Sequence, residues 1–198
     1  SLSGEPTMYP KLPELIKYLK SLEATKSIFL VTNGQEPDMI QKLQDEDALP
    51  TQLYLSTNAA DYESFIKINK PKYDDSWERW NRTLDMLKDL DTRTVLRITL
   101  IRNYNDQKEM IPAFADMFRK ASPHFIEIKS YMHIGRSTNR LEHENMLEMS
   151  EVKKFSEEIA KQSKIFSIMD ESLVSRISIL QNKERFIDRY ISAYANTN

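Results

Sequence analysis

The side chains best placed to do chemistry lie in residues 125–136, FIEIKSYMHIGR. Ile126 and Ile128 fall on one face of a period-two strand, Glu127 and Lys129 on the other, and Ser130 begins a polar end. Burying unpaired charges is costly, so if helices cover the outer face, the charged face must line a solvated or ligand-filled lumen. A solvated pair on an exposed sheet face is the simpler alternative. The strand is expected to stop at Gly135. Beyond it, RSTNRLEHENM carries Arg136 and Arg140 with no acid before Glu142, a basic rim just past a strand's C-terminal end. That is where α/β folds keep their ligands.

Composition narrows the possibilities. The 198 residues, 40% hydrophobic and 29% charged, suffice for one sizeable core and are read as a single domain over 1–198. A net charge of −2 excludes a generally basic nucleic-acid binder, so any RNA contact must be local. With no cysteine there is no disulfide, thiolate ligand or cysteine nucleophile in the chain. His124, His133 and His143 stand at no ligand-like spacing, so no metal site is expected. No apolar run is long enough to span a membrane, and SLSGEP lacks the features of a signal peptide; a cytoplasmic location is the default.

The elements that must position these residues alternate. SLS reads as the tail of a strand, closed by the turn signal Gly4-Glu5-Pro6. A helix over about 10–23 shows Leu12, Leu15, Ile16, Leu19 and Leu22 at helical spacing. Residues 28–31 form a short apolar strand ended by Thr32-Asn33-Gly34, and a short helix over 38–45 follows. In the strand 52–56, Leu53 and Leu55 oppose Gln52, Tyr54 and Ser56. Helical turns around 62–68 stop at Asn69-Lys70-Pro71, and Trp77, Trp80, Leu84 and Leu87 keep the phase of a longer helix, as core rather than a stacking platform. The strand 94–101 places Leu96, Ile98 and Leu100 outward, Arg97 and Thr99 inward. Helices over 106–120 and from Ser150, a strand over 165–169, a short strand near 176–180 and a weak helix over 184–195 complete the reading. Strand–helix alternation implies a parallel sheet with right-handed crossovers. Inward polar residues on three strands favour an open, polar-lined half barrel over a doubly wound sheet with an apolar interior.

SLSGEPTMYP resembles the strand and loop with which radical S-adenosylmethionine enzymes hold the methionine end of their cofactor. The run LVTNG, LPTQLYLST, INKP, SWERWN, TRTVLRITLIRNYN, FIEIKSYMHIGRS and RLEHENM is similar to the archaeal tRNA 4-demethylwyosine synthases over nearly the whole chain. The resemblance implies an α/β fold, a partial (β/α)6-type barrel that is largely parallel and truncated at its N-terminal strand, over about 1–135, with a family-specific extension over about 136–198. It implies S-adenosyl-L-methionine and 4Fe-4S clusters as cofactors of the full-length enzyme, and condensation of pyruvate carbons with N1-methylguanosine of tRNA(Phe). The family's CxxxCxxC loop is absent, so the chain looks like the C-terminal part of such an enzyme, unable to make the radical without the missing N-terminal segment. Carried over, Gly4 and Glu5 match the methionine-binding turn and Ser56 the strand-end ribose position, with Thr32, Asn33, Arg97 and Thr99 beside them. Lys129 is the candidate for substrate work, as a Schiff-base former toward a 2-oxo acid or as an ion-pair partner of Glu127 or a carboxylate. His133, Arg136 and Arg140 are the candidate contacts to tRNA phosphates. The alternative is a non-catalytic module that recognises tRNA or a nucleotide only.

Overall fold

A computed structural model describes residues 4–191. The elements run α1 (Leu12–Ser21), β1 (Phe29–Thr32), α2 (Pro37–Asp45), β2 (Gln52–Ser56), α3 (Tyr62–Asn69), α4 (Ser76–Met86), β3 (Arg93–Leu100), α5 (Ile111–Ala121), β4 (Phe125–Ser130), α6 (Met149–Ser163), β5 (Phe166–Ser172) and β6 (Ile177–Asn182). They build one six-stranded sheet in the order β1-β2-β3-β4-β6-β5, a largely parallel sheet of the kind a partial barrel contains. β1 to β4 are parallel, and β6 lies antiparallel to both β4 and β5.

Register fixes which side chains share a face. Leu55, Leu96 and Ile126 are in line across β2, β3 and β4 and are fully buried, as is Ile98 beside Ile128. Helices cover this face: α4 contributes Trp80 and Leu84, α5 Phe114 and Phe118, and α6 Val152 and Ile159, all in the same core. Local signals start these helices where they do. Asp61 accepts the Ser64 N–H at the head of α3, and Glu148 with Glu151 makes a capping box for α6. Trp77 and Trp80 stack with ring centroids 5.4 Å apart and Phe65 packs on both; Trp80 is core and Trp77, partly buried, packs against it.

Several expectations need correction. β4 ends at Ser130 rather than Gly135: Tyr131 N–H still donates to the Leu100 carbonyl at 2.7 Å, but beyond it Ile134 N–H closes a turn onto the Met132 carbonyl at 2.8 Å. The helix expected from 106 starts at Ile111; Asp106 is engaged in a turn, accepting Asn103 N–H at 2.8 Å, and the proline at position 112 suits a first helical turn. The strand near 165–169 does not extend the parallel series but is the edge of an antiparallel hairpin whose second strand, β6, takes the place beside β4. Residues 184–191 are not helical, and the remainder of the expected terminal helix, like the strand expected at 1–3, lies outside the described residues. Among the described residues no helix is long and apolar enough to cross a membrane.

Candidate functional site

The face opposite the helices carries the charges. Ser56, Arg97 and Glu127 are in line across β2, β3 and β4, and one step toward the C-terminal ends Thr99 pairs with Lys129. Glu127 is buried, yet its partner is not Lys129. Arg97 Nε stands 2.7 Å from Glu127 Oε1, too bent for a linear hydrogen bond, while Nη2 donates to Oε2 at 3.3 Å. Directly opposed residues on neighbouring strands come closer than same-face neighbours on one strand, about 5 Å against nearly 7 Å, so the cross-strand arginine wins the carboxylate. The Arg97 guanidinium also lies 4.2 Å from the centre of the Tyr54 ring. Burial, and then the Glu127 charge, push the Tyr54 hydroxyl above its ordinary range. Gln52 Nε2 donates to Tyr54 Oη at 2.6 Å, and Arg93 Nε to Gln52 Oε1 at 3.0 Å. Below this network the chain crosses the lumen: Arg93 donates to the carbonyls of Asp188 and Arg189 at 2.7 and 3.0 Å. The result is a lumen floor in which each cation has an acceptor.

Lys129 differs. It is half-buried and, among the described residues, its side chain makes no hydrogen bond or ion pair. Its neighbour Thr99 is held at the backbone: Thr99 N–H donates to Asn58 Oδ1 at 3.0 Å, and buried Asn105 donates to the Thr99 carbonyl at 2.9 Å. These amides tie the loops after β2 and β3 to the strand ends.

The turn at Gly4 and Glu5 lies at the same end of the sheet. Glu5 Oε2 accepts Asn33 N–H, just past β1, at 2.8 Å, and Oε1 accepts the Thr7 hydroxyl at 2.7 Å. Gly4 is at φ +100° and Gly34 at +77°, conformations that favour glycine; a Cβ on Gly34 would stand 2.6 Å from Leu55 Cδ1. Ser56, at the end of β2, is joined to the core through its carbonyl, which accepts Trp80 Nε1–H at 3.1 Å. Gly4, Glu5 and Asn33 line a cleft of about 450 Å³ whose other wall is the loop after α3, with Asn69, Lys70 and Lys72. Sequence reading singled out neither lysine for the site; the Asn69-Lys70-Pro71 stop was a signal for a loop, not for where it would lie. Thr32 belongs to the helix-side row with Leu55, is buried, and accepts Gly34 N–H at 3.0 Å, so its hydroxyl is spent on the turn.

The rim is held from beneath. Arg102, just past β3, forms a bidentate pair with Glu151 at 2.5 and 2.6 Å, and its hydrogen bond holds the Glu151 carboxyl below the usual carboxylate range. The same guanidinium donates to the Glu144 and Met146 carbonyls, and Arg176 donates to the Leu147 carbonyl at 2.9 Å. On this frame Arg136 and Arg140 are exposed, and their side chains have no partner among the described residues. His133 is half-buried, with Nδ1 3.2 Å from Tyr131 Oη. No group of three or more acids and histidines among the described residues could hold a metal ion, and the chain's lack of cysteine leaves no thiolate for a cluster within these residues.

Comparison with known proteins agrees with this fold. Residues 1–115 match the Radical SAM superfamily and residues 120–182 match Wyosine base formation. The S-adenosyl-L-methionine-dependent tRNA 4-demethylwyosine synthase of Methanocaldococcus jannaschii is 43% identical over 190 residues, 95% of this chain and 56% of the relative. A solved structure of TYW1 with a lysine–pyruvate adduct bound is 42% identical and superposes with a TM-score of 0.82, over 94% of this chain and 57% of that one. Coproporphyrinogen III oxidase from Escherichia coli, a radical SAM enzyme 14% identical, shares the fold at a TM-score of 0.59 over 92% of this chain and 42% of that one. The chain thus spans little more than half the length of the archaeal relatives it matches.

Proposed function

Because the chain belongs to the radical SAM superfamily and, within it, to the tRNA 4-demethylwyosine synthases, we propose that it forms the lumen and rim of an enzyme condensing pyruvate carbons with N1-methylguanosine of tRNA(Phe) to give 4-demethylwyosine. The observation that carries this reading is Lys129, a cation without a side-chain partner among the described residues, facing the lumen above a floor whose charges are paired. Desolvating an ammonium without a partner is unfavourable, so a lumen that keeps one there is suited to an anionic substrate.

Each part of the mouth then has a role. The Gly4–Glu5 turn and Asn33 line the cleft assigned to the methionine end of S-adenosylmethionine, with Ser56 and Thr99 toward the lumen and Lys70 and Lys72 as charge partners for a carboxylate. Together with a 4Fe-4S cluster, that cofactor supplies a 5′-deoxyadenosyl radical; the cluster's thiolates are not among these residues. Arg97 and Thr32 support the site from within the fold rather than touching the cofactor. Lys129 holds the pyruvate-derived group by its charge or through a Schiff base, and His133, Arg136 and Arg140 meet tRNA phosphates. Residues of about 1–135 are assigned to the barrel and about 136–198 to an extension that lends two antiparallel strands to its sheet.

The test uses the full-length protein, cluster reconstituted, with tRNA, pyruvate and S-adenosylmethionine. Lys129→Ala is expected to lose the tRNA product while 5′-deoxyadenosine still forms, and borohydride trapping with peptide mapping separates a covalent Lys129 from an electrostatic one. Product formation undiminished by Lys129→Ala would refute the assignment. Radical formation by the 198-residue chain alone would refute its dependence on thiolates from elsewhere.

A further inference from the structure

The turn of the β5–β6 hairpin has an unusual surface. Turn residues are normally polar, yet Leu173 and Val174 occupy this one and are 73% and 93% exposed. A single exposed aliphatic needs no explanation, but these two have company. On the loop after β4, Ile134 is 70% and Met132 37% exposed, and Arg136 and Arg140 follow with side chains unpartnered among the described residues. Antiparallel pairing decides where the tip lies. Ile177, at the start of β6, pairs with Lys129, and the Arg176 carbonyl accepts Ser130 N–H at 3.0 Å, so the tip stands at the lumen mouth beside the end of β4. The turn is also pinned: Arg176 N–H closes it onto the Leu173 carbonyl at 3.3 Å, and the Arg176 side chain is anchored to Leu147 and Glu148.

We propose that Leu173 and Val174 form an apolar wedge that enters the single-stranded loop of the RNA substrate and takes the stacking place of the base drawn into the lumen. The inference rests on the tRNA reading above and adds to it the residues that open the stack. A base in a folded loop is stacked on its neighbours, and an enzyme acting on its ring must first extrude it. Apolar side chains inserted between base steps are a known physical means of unstacking. Here the turn that carries the two exposed aliphatics leads into Ile177, the cross-strand partner of the lumen lysine, and Arg136 and Arg140 of the same rim, unpaired among the described residues, supply the phosphate contacts that would seat the RNA. Charge complementarity of that rim favours an RNA occupant over a protein one.

The test compares the full-length enzyme with its Leu173→Ser/Val174→Ser variant on tRNA carrying 2-aminopurine beside the target guanosine. Unstacking raises the fluorescence of this probe, so the wild type should show a rise on binding. The serine variant should lose that rise, and its kcat for the tRNA should fall about tenfold or more, whereas Leu173→Met/Val174→Ile should restore both because a wedge requires apolar bulk rather than particular contacts. A serine variant that keeps the fluorescence rise and kcat within about twofold would overturn the wedge and leave the tip for another partner, such as a protein. No rise with a catalytically competent wild type would overturn the wedge alone. A wild type that makes no tRNA product would instead fail the reading beneath it.

Discussion

The floor of the lumen, on β2, β3 and β4, and its mouth, at the end of β4 and on the loop after it, both carry basic side chains and treat their charge in opposite ways. On the floor, Arg97 is held between the Glu127 carboxylate and the Tyr54 ring, and Arg93 is occupied by Gln52 and two carbonyls. One step toward the mouth, Lys129 has no partner, and beyond it neither do the Arg136 and Arg140 side chains among the described residues. A buried ion pair resists disruption because removing one partner strands the other in a poorly solvated site. An unpaired cation at a mouth contributes little to folding and keeps its interaction free energy for whatever binds. Charges in the floor should therefore report on stability, and charges at the mouth on ligands.

The sharpest way to break the comparison is to unpair the floor. Glu127→Ala leaves the Arg97 guanidinium without its carboxylate, and the full-length protein should lose about 3 kcal/mol of stability, read as a lower denaturant midpoint. Glu127→Gln, which keeps an acceptor, should lose roughly half as much. An unchanged midpoint in Glu127→Ala would mean that the floor pair is no more structural than the rim.

Acid probes a second structural contact, where His124 meets Thr94 at the start of β4 and β3. Thr94 N–H donates to His124 Nδ1 at 3.1 Å, and burial, aided by the Arg185 and Arg93 charges, lowers the His124 pKa to about 4. The unfolded chain, with His124 near its ordinary value, binds the proton more readily, so this contribution is fully present above about pH 6.5 and is lost as pH falls toward 4. Because the ring is only half-buried, screening reduces the loss to about 1–2 kcal/mol. His124→Gln should flatten the acid limb of a stability–pH curve between those values, and an unaltered limb would show that His124 does not control it.

How far this contrast could be read from sequence follows from what alternation encodes. Period-two patterning assigned Arg97, Glu127 and Lys129 to one face, and the structure agrees. It could not say which charge would meet which, because Arg97 and Glu127 are 30 residues apart and only the register of β3 on β4 brings them opposite. FLVT has no polar alternation, so nothing signalled that Thr32 would point toward the helices. Lys70 and Lys72 stand in a loop whose direction is set by the packing of α3 and α4, a tertiary matter. Likewise ISILQN shows that β6 is a strand but not that it runs antiparallel to β4. The exposed tip at Leu173 and Val174 came into view only when the hairpin did.

At the mouth the expected effects on the fold shrink. Lys129→Ala removes no ion pair among the described residues, so stability should stay within about 0.5 kcal/mol of the wild type even as the proposed tRNA product is lost. A larger loss of stability would move Lys129 to the floor's side of the comparison.

The smallest effect on folding belongs to the rim. Arg136 and Arg140 are exposed and their side chains unpartnered among the described residues, so Arg136→Gln/Arg140→Gln should leave the unfolding midpoint unchanged. The informative readout is the dependence of tRNA binding by the full-length enzyme on salt. Each cation that neutralises a phosphate of a single strand contributes about 0.7 to the slope of log affinity against log salt, so losing both should flatten the slope by about 1.4. Affinity should fall most at low salt and converge with the wild type as screening rises, because the contribution removed is one of counterion release. Exposed acids on the same loop, Glu142 and Glu144, give an internal control: Glu142→Gln/Glu144→Gln lowers the rim's negative charge and should strengthen binding slightly, again without touching the midpoint. A slope that ignores both pairs would place the RNA on another surface, and the contrast between a paired floor and an unpaired mouth would then no longer support the proposed contact with tRNA.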